Sequence, residues 1–352
     1  MVSESDEHAC RDPFDSSTKN SFAAFQDQSR TQAEEASSNG MSLVRKSFLN
    51  KGFSDDAVNI MCASWRKSSQ KQYSVYLRKW VHFCARRKID PMSLDEILVI
   101  EFLTMLFNNN ESYSSINTAR SALSCFLYNN TGISIGNYSS VKRFLKGVFE
   151  SKPPRPRYSC IWDANIVLNY LGNFYPNEDM SLLELTYKLV MLLALITAQR
   201  AQTLHVLDLE NIEFDIDYVF IRITDLLKQS NSRNMRLSWK LRFYDLNPSI
   251  CVGRVLKEYI RRTEPLRKKE KQLLISFHKP FAAVARSTIS RWIKKVLYEA
   301  GIDVGTFKAH STRAASCSRA KKDGVPIENI LRTAGWANNS TFEKFYNKCI
   351  IE

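Results

Sequence analysis

A proline-rich segment near the middle of the chain divides it into two parts that must fold separately. Lys152-Pro-Pro-Arg-Pro-Arg-Tyr158 holds three prolines in four positions. Proline fixes φ and has no backbone N–H, so neither a regular helix nor a central strand can run through this stretch. We therefore predict an extended linker over residues 152–158, made basic by Arg155 and Arg157.

The part of the chain before the linker changes character near residue 48. Residues 1–48 are rich in Ser, Asp, Glu and Gln and show no sustained apolar period, which predicts a disordered acidic tail. Beyond them, apolar residues return at helical spacing, as in Tyr73, Leu77, Trp80, Val81 and Cys84. Residues 49–151 are therefore predicted to form a compact helical domain.

The part after the linker, residues 159–352, predicts a domain of mixed type. Residues 181–195 form a strongly apolar stretch typical of a buried helix, and residues 218–223 and 235–239 have the pattern of strands. A helical pattern follows over residues 251–263, then a short strand at residues 273–277, and helical patterns continue from residue 287 to residue 347. The fold class predicted for the chain is mainly α with a small antiparallel β-sheet.

Several classes of protein are disfavoured. The longest apolar run, residues 189–197, is about half the length of ~20 residues that a membrane span needs, and no secretory leader pattern opens the chain. The eight cysteines lack metal-site spacing and are expected to be reduced thiols. Glycine-rich nucleotide motifs are missing. We expect an intracellular protein with no membrane segment, metal or cofactor.

The charge is distributed unevenly along the chain. The formal net charge is +14, whereas residues 1–40 hold three basic and eight acidic residues, so the remainder carries +19. A basic body of this kind is expected to attract polyanions, nucleic acid first among them. A merely solvated basic surface is an equally good interpretation of the charge alone.

Five short motifs in the second part carry groups that can act on an anion. The motifs are Thr197-Ala-Gln-Arg200, Lys228 between the two predicted strands, His310-Ser-Thr-Arg313, Gly335-Trp336 and Tyr346. An arginine and a histidine at the start of a helix can address one phosphate, because helix N-termini and guanidinium groups both favour anions. Taken one at a time, the other motifs are more often structural than functional, whereas Thr197-Ala-Gln-Arg200 is equally compatible with a structural carboxylate and with a substrate phosphate as the partner of Arg200.

Taken together and in this order, the motifs resemble the catalytic domain of the tyrosine recombinases, the phage-integrase-like family. The preceding helical domain resembles the core-binding, SAM-like DNA-binding domain of that family, and residues 159–352 its catalytic domain. The phrase AGWANNSTFEKFYNK looks similar to recombinases of eukaryotic mobile elements, Crypton-type ones included. The resemblance covers about residues 55–348 and implies a two-domain clamp around DNA.

The resemblance implies a function and a role for each residue. The chain would cleave and rejoin double-stranded DNA through a 3′-phosphotyrosine intermediate without metal or ATP. Tyr346 would be the nucleophile, His310 its base and Lys228 the acid for the leaving oxygen. Phosphate oxygens would be bound by Arg200, Arg313 and Trp336. In the linker, Arg155 and Arg157 would contact the DNA backbone.

The resemblance also suggests partners and a location, and two alternatives remain open. A homodimer on each site, a homotetramer in the synapse and a nuclear location in a eukaryotic host are expected. Thr203 stands where the family usually has Glu or Asp, Ala198 stands where glycine is common, and only six residues follow Tyr346. A domesticated, non-catalytic DNA-binding protein and a type IB topoisomerase-like nicking-closing enzyme are the alternatives.

Overall fold

A computed structural model describes residues 40–127, 132–154, 157–225, 227 and 237–351 of the chain. The chain forms two compact units that divide between Arg155 and Pro156, inside the predicted linker. Arg155 and Lys228 lie outside the described residues, as do residues 1–39 of the predicted tail.

The first unit is helical, as its apolar periodicity predicts. Its helices are α1 (Met41–Asn50), α2 (Asp55–Ala63), α3 (Lys67–Arg87), α4 (Glu96–Asn108), α5 (Tyr113–Leu123) and α6 (Ser139–Ser151). Leu77, Trp80 and Cys84 on α3 are fully buried, because residues three and four apart share one face of a helix. They pack with Phe102 of α4 and Ile116 of α5 in one hydrophobic core.

The prediction that the chain is disordered through residue 48 is wrong for residues 41–48, which are helical. Helix α1 occupies Met41–Asn50, and Leu43, Val44 and Phe48 are buried in the core of the helical unit. These three residues fall at i, i+1 and i+5, close enough in azimuth to form one apolar stripe between polar neighbours. Burial of this stripe favours the helix over disorder.

The second unit surrounds a buried helix. Its helices are α7 (Ala164–Gly172), α8 (Leu182–Thr197), α9 (Ala201–His205), α10 (Val252–Thr263), α11 (Arg286–Glu299), α12 (Thr312–Lys322), α13 (Ile327–Ala334) and α14 (Asn339–Phe345). Helix α8 begins with a capping box, in which Ser181 accepts from the Glu184 N–H and Glu184 accepts in return from the Ser181 N–H. Residues 189–195 of this helix are all buried in the core of the unit.

Two small sheets complete the second unit. Strands β2 (Ile212–Phe214), β3 (Tyr218–Arg222) and β4 (Ser238–Arg242) form an antiparallel meander. Strand β1 (Cys160–Trp162) pairs in parallel with β5 (Cys349–Ile351), which joins the two ends of the unit. The predicted fold class, mainly α with a small antiparallel sheet, is confirmed, and the parallel pair is an addition to it. In the described part of the chain, no helix combines the length and apolar character that crossing a bilayer requires.

Candidate active site

Tyr346 lies at the C-terminal end of α14 and turns its ring into the second unit. Only 9% of the residue is exposed. Its hydroxyl oxygen lies 3.3 Å from Nε2 of His310, and its carbonyl oxygen accepts a hydrogen bond of 2.8 Å from Ser318 Oγ. The same hydroxyl of Ser318 accepts from the N–H of Lys348 at 3.0 Å. Ser318 therefore holds the chain on both sides of the phenol.

His310 is positioned by the short 3-10 turn Ala309–Ser311 that leads into α12. The neighbouring Ser311 is the N-cap residue of that helix, but its side chain makes no capping bond. Instead, its hydroxyl accepts a buried hydrogen bond of 2.9 Å from Nε1 of Trp162 on β1. The turn is thereby tied to the strand, which fixes the imidazole beside the phenol.

Arg313 is the most deeply buried charged group of the site. The residue is fully buried, and its guanidinium donates to the carbonyls of Ala198 at 2.9 Å and Ala334 at 2.8 Å. Burial and the nearby positive charge of Arg200 lower the pKa of Arg313 to about 10, so the group is still protonated at neutral pH.

Arg200 lies close enough to Arg313 for its positive charge to lower the pKa of that arginine. It is half-buried at the N-cap of α9, directly after the turn that ends α8. Ala198 in that turn adopts a left-handed conformation with φ of 51°, which presents its carbonyl to Arg313. The local backbone thus brings two guanidinium groups together, and two neighbouring cations create a site that an anion would stabilise.

Trp336 forms one wall of the site. Its ring lies 4.5 Å from the ring of Tyr346, centroid to centroid, and the guanidinium carbon of Arg313 lies 4.3 Å from the Trp336 ring centroid. Nε1 of Trp336 and Nε of Arg313 are buried and have no hydrogen-bond partner within the described part of the protein. Buried donors are nearly always satisfied, so two orphaned donors side by side indicate a place for an acceptor.

The structure therefore brings together five of the six predicted catalytic residues. They are Arg200, His310, Arg313, Trp336 and Tyr346. The sixth, Lys228, lies outside the described residues, as does Arg155 of the linker, while Arg157 is exposed. What unites the five is their chemistry: a phenol, a base that can take its proton, and clustered donors for an anion.

Two family models cover most of the described chain. Residues 171–349 match the model described as "Phage integrase family", and residues 56–132 match "Phage integrase, N-terminal SAM-like domain". The chain belongs to the phage integrase family. Comparison with curated protein sequences gives no match.

The fold of this integrase-family chain is also that of solved tyrosine recombinases. The XerH site-specific recombinase bound to palindromic difH substrate matches with a TM-score of 0.56 and 13% identity, over 82% of this chain and 79% of XerH. The Tn1549 transposon integrase in complex with transposon right end DNA matches with a TM-score of 0.52 and 13% identity, over 88% and 94%. A lambda integrase dimer bound to a COC' core site matches with a TM-score of 0.50 and 14% identity, over 83% and 75%.

Sequence reasoning missed three residues that shape the site of this integrase-family chain. Gln199 is buried and donates to the carbonyl of Thr333 at 3.0 Å, while its own side-chain oxygen accepts from Thr203 at 3.2 Å. Thr203, at the position where the family usually has an acid, therefore braces the arginine turn through Gln199. The second is Ser318, which holds the chain on both sides of Tyr346. The third is Tyr158, whose pKa is raised by burial and by the nearby Tyr346. Only Tyr158 carried a sequence signal, since it ends the basic linker.

Proposed function

We propose that this chain is a site-specific DNA recombinase, or integrase, that cleaves and rejoins DNA through a covalent 3′-phosphotyrosine. The observation that carries the proposal is the 3.3 Å approach of the Tyr346 hydroxyl to His310 Nε2, beside a buried arginine and two unpaired donors. Membership of the phage integrase family and the recombinase fold support the same conclusion.

Tyr346 acts as the nucleophile because its hydroxyl has a base within reach. An ordinary tyrosine has a pKa of about 10, so roughly one phenol in a thousand is ionised near pH 7. When Nε2 of His310 is unprotonated, it accepts the phenol proton as the oxygen attacks phosphorus. The scissile P–O bond then breaks, and the 5′-oxygen leaves with a proton from an acid. Lys228 stays our prediction for that acid.

Arg313 and Arg200 bind the phosphate and stabilise the charge that develops on its oxygens. The two guanidinium groups repel each other in the free protein, and this repulsion contributes to the lowered pKa of Arg313. A phosphodiester between them removes the repulsion, and Nε of Arg313 and Nε1 of Trp336 then gain the acceptor that the described residues do not supply. Donors already fixed in a buried site need little reorganisation during the reaction.

The helical unit offers a second place for a phosphate of the same DNA. A groove of about 510 Å³ is lined by Arg120, Lys142 and Lys146 and by the aromatic pair Tyr113 and Phe149. Nε of Arg120 is buried without a hydrogen-bond partner among the described residues. Among the described residues, three cations and no acid line this groove, which favours a backbone phosphate over a protein segment.

Double-stranded DNA is the partner we propose, bound by one dimer on each site and by a tetramer when two sites meet. The Tn1549 transposon integrase, whose fold this chain shares, is described in complex with transposon right end DNA. XerH is described as bound to difH substrate, and lambda integrase as a dimer bound to a COC' core site. Backbone contacts by Arg155 and Arg157, origin in a Crypton-type mobile element and action in the nucleus remain part of this proposal.

The test is a covalent trap. A binding selection from random duplexes first identifies a bound site, and the site is then made with a nick next to the scissile position, so that the cleaved fragment diffuses away. We expect a protein–DNA adduct that resists denaturation and disappears in Tyr346→Phe. Tyr298→Phe is the matched control, since Tyr298 is 64% exposed on α11. A bound duplex without an adduct would favour the non-catalytic DNA-binding alternative.

A second measurement separates recombination from nicking and closing. A plasmid with two copies of the selected site is incubated with the protein, and its products are scored for strand exchange and for loss of supercoils. Exchange between sites supports the recombinase. Relaxation without exchange would favour the topoisomerase-like alternative, because both enzymes would share the phosphotyrosine step.

A further inference from the structure

Two cysteines face each other across the parallel sheet that closes the second unit. In the register of β1 and β5, Cys160 is the partner of Cys349, followed by Ile161 with Ile350 and Trp162 with Ile351. Partners in adjacent parallel strands put their side chains on the same face, with the strands about 4.8 Å apart. Disulfides join Cα atoms that are about 4.4–6.8 Å apart, so this register suits a disulfide.

The thiols of this pair are also accessible. Cys349 is exposed and Cys160 is partly exposed, while Ile161, on the opposite face of β1, is fully buried in the core. The other described cysteines of the unit, Cys251 and Cys317, are buried, and burial raises the pKa of Cys317 to about 12. Thiols of that kind react slowly, because the thiolate is the reactive form.

We propose that Cys160 and Cys349 are an oxidisable pair that forms a disulfide within one chain. The oxidant is a small disulfide such as oxidised glutathione. The Cys349 thiolate attacks it, forming a mixed disulfide and releasing one glutathione. The Cys160 thiolate then attacks the Cys349 sulfur and releases the second glutathione. Both cysteine sulfurs are oxidised, the glutathione disulfide is reduced, and the two cysteine protons end on the glutathione thiols.

The disulfide acts on the segment that carries Tyr346. Strand β5 begins three residues after Tyr346, and the intervening Lys348 donates its N–H to Ser318. In the reduced protein the strand is held by three residue pairs with β1 and by these contacts of Ser318. A covalent bond at the first of the three pairs prevents β5 from separating from β1. The oxidation state of the pair therefore sets how firmly the phenol segment is held.

The test uses the full chain and chemical readouts. The protein is treated with oxidised glutathione, its free thiols are blocked with N-ethylmaleimide, and non-reduced peptides are mapped by mass spectrometry. We expect a peptide linking Cys160 to Cys349 and the loss of two free thiols per chain. The long loop closed by the bond should raise the melting temperature of the unit by on the order of 10 °C, reversed by dithiothreitol.

Variants and amide exchange complete the test. Cys160→Ser and Cys349→Ser should each abolish the link and the thermal shift, whereas Cys62→Ser, in the helical unit, should keep both. Amide exchange over residues 346–351 should slow at least tenfold on oxidation. Mixed glutathione disulfides that persist on both cysteines, or a dimer linked through Cys349, would overturn the proposed pair. A link without slower exchange would overturn its action on the segment.

These readouts are independent of DNA cleavage. A chain that forms the link but never yields a DNA adduct supports the oxidisable pair and contradicts the proposed recombinase. A chain that cleaves DNA but never forms the link supports the proposed recombinase and contradicts the oxidisable pair.

Discussion

Replacing Trp336 by phenylalanine tests whether the site is built for a phosphate. Nε1 of Trp336 is buried with no partner in the described part of the protein, so the free protein loses no hydrogen bond in this variant. A phenylalanine ring at this position can still pack against the ring of Tyr346 and the guanidinium of Arg313, as Trp336 does. We therefore expect the free energy of unfolding to fall by only about 1–2 kcal/mol, from the smaller ring.

DNA cleavage should respond far more strongly. In the proposed complex with DNA, the indole N–H would donate to a charged phosphate oxygen, and a hydrogen bond to a charged group contributes about 1.5–3 kcal/mol. If this bond forms in the transition state, its loss slows adduct formation roughly 10- to 150-fold, since each 1.36 kcal/mol is about tenfold in rate. Trp336→His keeps a ring N–H donor and should lose less than about tenfold.

The assay is the single-turnover rate of adduct formation on the nicked duplex at saturating protein, with urea unfolding measured beside it. Trp80→Phe is the matched control, because Nε1 of Trp80 donates to the Pro91 carbonyl at 2.9 Å in the helical unit. That variant should lose stability and keep its cleavage rate. A Trp336→Phe rate within twofold of the unaltered protein would refute the phosphate contact, and equal rates for Phe and His would show that the donor is irrelevant.

Four further substitutions test the second unit and the groove of the helical unit. Ala198→Gly should raise the free energy of unfolding by about 1 kcal/mol in urea titrations, because glycine adopts the φ of 51° without strain; an unchanged midpoint would contradict this. Burial lowers the pKa of Lys188 from 10.5 to about 8. At Lys188 the unfolded chain therefore binds more protons between these pH values. The free energy of unfolding of the unaltered protein, relative to that of Lys188→Met, should rise by about 3 kcal/mol as pH increases through this window, and a constant difference would contradict this. Lys142→Gln and Lys146→Gln should each reduce the salt slope of DNA binding by about 1; parallel slopes would rule the groove out.

The long helices could be predicted because their signal is local. Leu77, Trp80 and Cys84 are spaced at the helical period, which alone predicts that they share one apolar face of a helix. All three residues are buried. The same holds for α8, whose apolar run leaves little alternative to burial. The sequence predicts the end of the acidic tail too late, because the apolar face of α1 is short and lies within a polar sequence. The helix is stabilised by burial of that face in the core of the helical unit, which is not a local property of the sequence.

The parallel sheet could not be predicted from the sequence. Strands β1 and β5 have three residues each, too few for an alternating pattern, and their partners lie at opposite ends of the unit. The site was predictable as a set of side chains, since the order of Arg200, His310, Arg313 and Tyr346 follows a family pattern. The hydrogen bonds that hold Arg313 in place could not be predicted from the sequence, because its acceptors are backbone carbonyls, which any residue supplies.

The pairing of β1 with β5 also orders events during synthesis. A ribosome makes β1 at the start of the second unit and β5 at its end, so the first strand waits for its partner until nearly all of the intervening chain has emerged. Tyr346 lies just before that last strand. The ribosome therefore adds the Tyr346 phenol after both arginines and the histidine, and a chain terminated just before residue 346 has the other four described groups of the site without the phenol that we propose as the nucleophile.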